Sequence, residues 1–305
     1  MESPIVSSRF ARNPWVHRRE RVIEAIMFLA AFSAVAITLA IVFILFYESL
    51  AFFEHVSIFE FLTSTQWSPL FENPQYGILP LVAGTLVTSA VALLVAVPIG
   101  SIIAIYLSEF APHKVREVVK PFLELLASVP TVVFGYFALM VVTPMLQTFM
   151  PELPGFNMLG PGIVIGIMII PYIASLSEDA MRAVPMAMRE GSYAMGATRF
   201  QTAVRVISPA AISGIIAAYI LAMSRAIGET MVVAIAAGQQ PNFTFNPTEA
   251  AATITAYIVQ VAMGDLPHGS IGYQSIFAAG LVLFLMTLAF NILGHMARQR
   301  FREVY

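Results

Sequence analysis

The 305-residue chain has no cysteine, which excludes disulfides and thiolate metal sites. Its five histidines, at positions 17, 55, 113, 268 and 295, are too scattered to form a ligand cluster. Charge is also scarce: 11% of residues are charged, and only two of the sixteen basic ones are lysine, Lys114 and Lys120. With 58% hydrophobic residues and a mean hydropathy of +0.81, an ordinary soluble core is excluded, and the composition is that of an integral membrane protein. The net charge of -2 says little about partners, since in such a chain the sign of charge matters by location; no nucleic-acid partner is expected.

What the chain does have is long apolar runs. A helix needs roughly 20 apolar residues to span the hydrocarbon. Six segments approach or exceed that length: 25–46, 78–107, 121–145, 161–176, 210–238 and 276–293. The first follows Arg9, Arg12, Arg18, Arg19 and Arg21 and is too long for a cleaved signal peptide, so it is expected to be a retained signal anchor. Residues 1–21 are expected as an N-terminal tail, 22–297 as the membrane domain and 298–305 as a C-terminal tail.

The cations alternate between loops. Lys114, Arg116 and Lys120 follow the second run, Arg182, Arg189, Arg199 and Arg205 the fourth, and Arg298, Arg300 and Arg302 the last. Residues 47–77, 146–160 and 239–275 carry no Lys or Arg. Because short translocated loops avoid cations, this predicts six spans with both termini in the cytoplasm.

Several spans are interrupted by Pro80, Pro98, Pro130, Gly135, Pro171 or Gly228. Each interruption reads either as kinked packing or, taken together, as irregular backbone lining a transport path. One cation, Arg225, lies inside an apolar run. A central arginine costs about 2.5–3.5 kcal/mol by insertion scales, so it calls for compensation. Glu229, four residues on, is the expected partner, although Arg before Glu is the weaker order for a helix pair. A structural ion pair to a neighbouring helix is the alternative.

Residues 184–209 form a second informative region. Pro185 suits a first helical position and Gly196 a helix end, and Thr198 with Gln201 has the form of a capping box. Pro209 separates the loop from the next span. Two short helices joined at a glycine are predicted, and an amphipathic hairpin lying on lipid is the alternative. Nearby, Glu124, Glu178 and Asp179 fall at span ends and read as interfacial residues, and Asn242-Phe-Thr244 reads as a chance glycosylation sequon.

The order Glu190, Gly191, Ser192, then Gly196, then Val206 and Pro209, resembles the coupling loop of ATP-binding-cassette importer permeases. That pattern is Glu-Ala-Ala, three residues, Gly, nine residues, Ile-x-Leu-Pro. The spacing is kept, while Gly191, Ser192, Val206 and Ser208 depart from it. The resemblance implies the type I permease fold and a docking role for Glu190, Gly191, Ser192, Gly196 and Pro209, with loop 181–209 seated on an ATPase. Neither lysine stands in a Gly-x-x-x-x-Gly-Lys-[Ser/Thr] context, so ATP and Mg are expected on a separate chain and this subunit is not expected to be an enzyme.

Further segments are similar to phosphate importer permeases: Thr65-Gln-Trp-Ser-Pro69, Gly77 to Leu86, Ser128 to Gly135 and Ser224 to Thr230. Gly264 to Tyr273 is similar to the PstC-type member of the permease pair rather than its PstA-type partner. The resemblance implies a phosphate permease of a bacterial inner membrane that pairs with a PstA-type subunit, two ATPase copies and an extracytoplasmic phosphate-binding protein. The guanidinium of Arg225 presents a fork of donors matched to tetrahedral oxyanions, with Glu229 as a partner that exchanges with substrate. Ser128 and Thr131, flanking Pro130, are candidate hydroxyl donors, or else bond their own backbone. Another oxyanion such as sulfate or molybdate is the alternative substrate. A secondary transporter or channel is the alternative class; no internal duplication or proton or sodium site is visible for one.

Overall fold

The computed structural model describes residues 14–69, 71, 73–267 and 269–300; Arg9, Arg12, Arg302 and His268 lie outside them. The described chain is helical throughout its spans, with no named strand and one isolated bridge between Trp67 and Tyr76. Among the described residues four helices are long and apolar enough to cross a membrane, and two bent pairs bring the number to six.

The first helix, α1, covers Pro14–Phe53, so residues 14–21 of the expected tail are helical. At 1.5 Å per residue its 40 residues reach about 60 Å, roughly twice the hydrocarbon thickness. After a short helix α2 (Ile58–Thr63), α3 spans Leu79–Ile105 and passes into a π turn at Tyr106–Phe110. Pro80 stands in the first turn of α3, where a missing N–H costs nothing, so it does not interrupt the span. Pro98 does lie inside it.

The expected third span is two helices. α4 (His113–Ser128) and the segment beginning at α5 (Thr131–Phe137) meet at 85°. Pro130 causes the break: it cannot donate a backbone hydrogen bond and forces Val129 into extended backbone, ψ 132°. α5 continues through a π turn at Ala138–Val142 into α6 (Thr143–Gln147). The fourth span is longer than expected, since α7 runs Leu159–Arg182 straight through Glu178. Glu178 is tolerated there, 1% exposed, because Lys120 Nζ reaches its carboxylate at 2.9 Å and Arg182 stands at 3.7 Å.

After the loop helices α8 (Met186–Ala194), α9 (Arg199–Thr202) and α10 (Ser208–Ala210), the fifth span turns by 73° at Ala211 into α11 (Ile212–Ile227). It breaks again before α12 (Met231–Ala236). The stretch 239–275 is more than a loop. It folds α13 (Ile254–Gln260) into the core, with Ile254 N–H donating to Thr85 Oγ1 and Tyr257 hydroxyl bonded to Ser275 Oγ. The sequon residue Asn242 donates its side-chain amide to Glu249, whose carboxyl is held below its usual range by hydrogen bonds from Thr244, Asn246 and Asn242. α14 closes the chain over Ile271–Arg300.

Close approaches at small residues fix the helix directions. Gly162 and Gly166 of α7 meet Val91 and Val95 of α3, and Gly100 of α3 meets Ile173, so these two helices run parallel. Gly214 of α11 packs on Ala180, and Ser101 bonds Tyr219, so α11 runs antiparallel to both. α14 returns against α11 through Gly294 at Ile220 and Ser224 at Asn291.

Apolar clusters close the two ends. One joins Ala104, Met181, Val184, Ile207, Ala211 and Ile215 where the basic loops gather. The other, at the end with the cation-free loops, is aromatic: Phe52 packs edge-on to Tyr76 at 5.2 Å, and Trp67 to Tyr257 at 4.9 Å.

Gly84 of α3 packs so closely on Ala252 that an added β-carbon would strike the Ala252 carbonyl. Gly84→Val is therefore expected to destabilise the fold by about 1–3 kcal/mol. A lowered midpoint of thermal aggregation in detergent, with Gly191→Val at an open position unchanged, checks this.

Candidate translocation and coupling sites

The break in the fifth span positions the candidate translocation residues. α11 stops at Ile227, Gly228 takes φ -85°, ψ 0°, and Thr230 takes φ -115°, ψ -54° before α12 begins. Interrupting the helix leaves the first N–H groups of α12 without carbonyl partners. Glu229, 7% exposed, supplies an acceptor: its Oε1 accepts from the N–H groups of Met231 at 3.2 Å and Val232 at 3.4 Å. The Glu229 carbonyl accepts from Thr255 Oγ1 at 2.8 Å, which ties the break to α13.

Arg225 therefore has no partner in Glu229. The sequence spacing assumes one continuous helix, and the helix ends between the two residues. Instead the guanidinium lies over the ring of Tyr172, 4.8 Å from its centroid, a cation–π contact from α7. Its Nε is buried without a hydrogen bond, and among the described residues Arg225 forms no ion pair.

The break in the third span lies alongside. Gly160, at the start of α7, abuts Thr143 and Ala138, while Lys120, ahead of α5, reaches Glu178 near the end of α7, so α5–α6 runs antiparallel to α7; the Asn157 N–H on the Ala236 carbonyl sets the end of α12 by the start of α7 as well. α5 and α12 are thus parallel, and Gly135 brings them together by touching the Met231 carbonyl and Ile235. Thr131 stands one turn before that approach and is half-buried. Ser128 is exposed and donates to the Leu125 carbonyl at 2.7 Å, the backbone-bonded alternative. The two breaks, Thr131, Glu229 and Arg225 thus gather in one region, and Ser128 points its hydroxyl to its own helix.

The 184–209 loop forms the two short helices the sequence predicts. Pro185 caps α8 from outside, one position earlier than expected. Gly196 closes α8 with φ +83°, a left-handed conformation that a β-carbon disfavours. The capping box is present: Gln201 N–H donates to Thr198 Oγ1 at 3.3 Å, and Thr198 N–H donates to Gln201 Oε1 at 2.9 Å. Ser192 Oγ bonds Thr202 Oγ1 at 2.9 Å and clasps α8 to α9. Glu190, Gly191, Gly196 and Pro209 are exposed, with open space around the two glycines.

One anchor of this loop carries no signal in the sequence. Arg189 of α8 donates from Nη2 at 2.9 Å and Nε at 3.3 Å to Glu109 in the π turn after α3. Its Nη1 donates to the Val184 carbonyl at 2.6 Å, and Nη2 also reaches the Met181 carbonyl at 2.9 Å. The pair is 11% and 4% exposed. The eighty residues between the partners leave no periodicity to read. Gly196→Val is expected to weaken the loop by about 1–2 kcal/mol, since a β-branched residue must adopt the left-handed conformation. Faster limited proteolysis within 184–209, with the rest of the chain protected, checks it.

Among the described residues, the helical architecture, up to six candidate crossings with two broken near one another, and a paired-helix loop exposed at the basic end together fit a membrane permease subunit. The chain belongs to the family described as binding-protein-dependent transport system inner membrane component, whose model matches residues 96–303. It is 39% identical over 238 residues to a probable ABC transporter permease, YqgH, of Bacillus subtilis, covering 78% of this chain and 77% of that one. It is 31% identical over 312 residues to the phosphate transport system permease protein PstC of Haemophilus influenzae, covering 95% of each. PstC of Mesorhizobium japonicum is 36% identical, covering 75% of each.

The fold is similar to that of a chain in the bacterial alginate ABC transporter solved in complex with its alginate pentasaccharide-bound periplasmic protein. The TM-score is 0.65 at 19% identity, covering 95% of this chain and 99% of that one. The chain is accordingly a PstC-type permease subunit of a binding-protein-dependent ABC importer, a multi-pass membrane protein. That membership sets aside an ATP-independent transporter or channel.

Proposed function

We propose that this subunit forms half of an ATP-driven path for inorganic phosphate, with a PstA-type permease as the other half, two ATPase copies beneath and a phosphate-binding protein outside. The observation that carries the substrate assignment is the Arg225 guanidinium, without an ion pair among the described residues, beside two broken helices. A half-buried cation without a carboxylate favours an anion, and its planar fork suits a tetrahedral oxyanion. Thr131 supplies a hydroxyl from the neighbouring break, and Ser128 is the weaker donor because its proton is engaged. Glu229 holds the start of α12 in place and acts by positioning.

Glu190, Gly191, Ser192, Gly196 and Pro209 present the face that docks the ATPase. ATP and Mg act on that partner, and this chain carries no cofactor of its own. The basic end faces the cytoplasm with both termini, following the exclusion of cations from translocated loops.

Phosphate-loaded binding protein should stimulate ATP hydrolysis by the reconstituted complex. Stimulation by sulfate or molybdate in place of phosphate would move the assignment to another oxyanion. The orientation has its own check. In this cysteine-free chain, Ser68→Cys and Ser270→Cys should react with an impermeant thiol reagent added to intact cells, and Ser192→Cys only after permeabilisation. The reverse pattern would invert the topology.

A further inference from the structure

The break in the fifth span is held by side chains that take over bonds a helix would make. In an uninterrupted helix the N–H groups of Met231 and Val232 would bond the carbonyls of Ile227 and Gly228, and the Glu229 carbonyl would receive the N–H of Val233. Here both N–H groups turn to Glu229 Oε1, and the Glu229 carbonyl receives the hydroxyl of Thr255 at 2.8 Å. Both residues are buried.

The Thr255 hydroxyl is the last member of a directed chain. Because its proton goes to the Glu229 carbonyl, its oxygen accepts from Thr253 Oγ1 at 3.2 Å, and Thr253 Oγ1 accepts in turn from the Ala256 N–H at 3.2 Å. The Ile254 N–H between them donates to Thr85 Oγ1 of α3 at 3.0 Å. Residues 251–253, outside any helix, run from the far end of α12 back toward the break. Ala251 N–H donates to the Ala237 carbonyl at 3.2 Å, and Ala252 N–H to the Gln240 carbonyl at 2.8 Å. Gly84 of α3 closes against Ala252. The donor is thus fixed relative to α3 and to both ends of α12.

We propose that Thr255 is a positioning residue for translocation: its hydroxyl keeps the fifth span broken at 228–230, with Glu229 on α12 and Arg225 free of it. Without the hydroxyl the buried Glu229 carbonyl is left unpaired, a cost that winding residues 229–233 into the helix removes by offering the Val233 N–H. Winding places Glu229 one turn from Arg225, where a carboxylate competes with an anion for the guanidinium. Thr255 therefore acts through the Glu229 carbonyl. The inference rests on the break lying in the path, as given under Proposed function.

The test compares Thr255→Val, near in shape but without the hydroxyl, with Thr255→Ser, which keeps it, in the full complex reconstituted in proteoliposomes. Radiolabelled phosphate uptake driven by ATP and the binding protein is normalised to assembled complex. Maximal uptake should fall about tenfold in Thr255→Val, within the range set by one unpaired buried carbonyl, at an unchanged half-saturating phosphate concentration. Thr255→Ser should stay close to wild type. A purely structural contact would change the amount of complex and leave the rate per complex alone.

A wild-type rate per complex in Thr255→Val, or an equal loss in Thr255→Ser, would overturn the proposal. Should Thr255→Val fail to assemble, Thr255→Ala is read in its place; failure of both with Thr255→Ser intact would make the bond a requirement of folding and would overturn the proposal too. Arg225→Gln, run in parallel, tells the two roles apart. Loss in Arg225→Gln with full uptake in Thr255→Val removes the role of Thr255 alone. Full uptake in Arg225→Gln with loss in Thr255→Val removes the anion role of Arg225 and leaves Thr255 as the residue that holds the break. If wild type imports sulfate and not phosphate, the comparison is read on sulfate and only the substrate assignment falls.

Discussion

Arg225→Gln is expected to lower ATP-driven phosphate uptake by an order of magnitude or more, while the complex assembles in normal amount. Both halves follow from the surroundings of the guanidinium. Among the described residues it makes no ion pair, and its Nε is unsatisfied, so removing its charge strands no carboxylate and relieves a desolvation cost. The substitution does remove the cation–π interaction with Tyr172, on the order of 0.5–2 kcal/mol. Transit suffers more, because the oxyanion would face the break in the fifth span without the charged donor that Arg225 supplies. A tenfold decrease corresponds to about 1.4 kcal/mol, which a single charge-assisted hydrogen bond exceeds. Arg225→Lys should recover only part, since an ammonium lacks the fork. Uptake is to be normalised to assembled complex; a failure of assembly that accounts for the whole effect would make Arg225 structural.

Glu109→Gln is expected to unseat the coupling loop, abolishing ATPase co-purification and uptake while membrane insertion continues. The carboxylate is 4% exposed and receives two donors from Arg189, itself 11% exposed. Removing one member of a buried pair typically costs about 3–5 kcal/mol, because the other charge is left without its counterion. Here the stranded Arg189 keeps only the carbonyls of Met181 and Val184, at the end of α7 and just beyond it. Arg189→Met should have a similar effect from the other side. The double variant Glu109→Leu, Arg189→Met should be impaired much less than the sum of the singles, since no unpaired charge remains. Additive effects would show that the two residues act separately. Enhanced proteolysis between residues 184 and 209 distinguishes an unseated loop from a misfolded subunit.

The sequence carries the features that depend on local chemistry. Run length marks the four long apolar helices and the two bent pairs, the Thr198–Gln201 spacing gives the capping box, and Gly196 gives the left-handed turn that ends α8. The failures share one cause: helical spacing predicts neighbours only while the helix continues. Glu229 lies four residues from Arg225, but a break between them turns its carboxylate onto the N–H groups of α12. Pro130 is visible as a disruption, whereas the size of the turn at Val129 depends on how α4 packs across the end of α7. Interactions between distant segments leave no local trace: Glu109 with Arg189, Tyr172 beneath Arg225, and Thr255 on the Glu229 carbonyl. The helix in 254–260 is obscured because its apolar run is short and sits among loop residues.

Radiolabelled phosphate uptake by the Arg225→Gln, Glu229→Gln double variant, normalised to assembled complex, tests the central claim most directly. With Arg225 open to the anion and Glu229 engaged by α12, the account predicts that the double variant transports no better than Arg225→Gln alone. Wild-type uptake in the double variant would show that the two charges only balance one another, and would contradict a role for Arg225 in translocation.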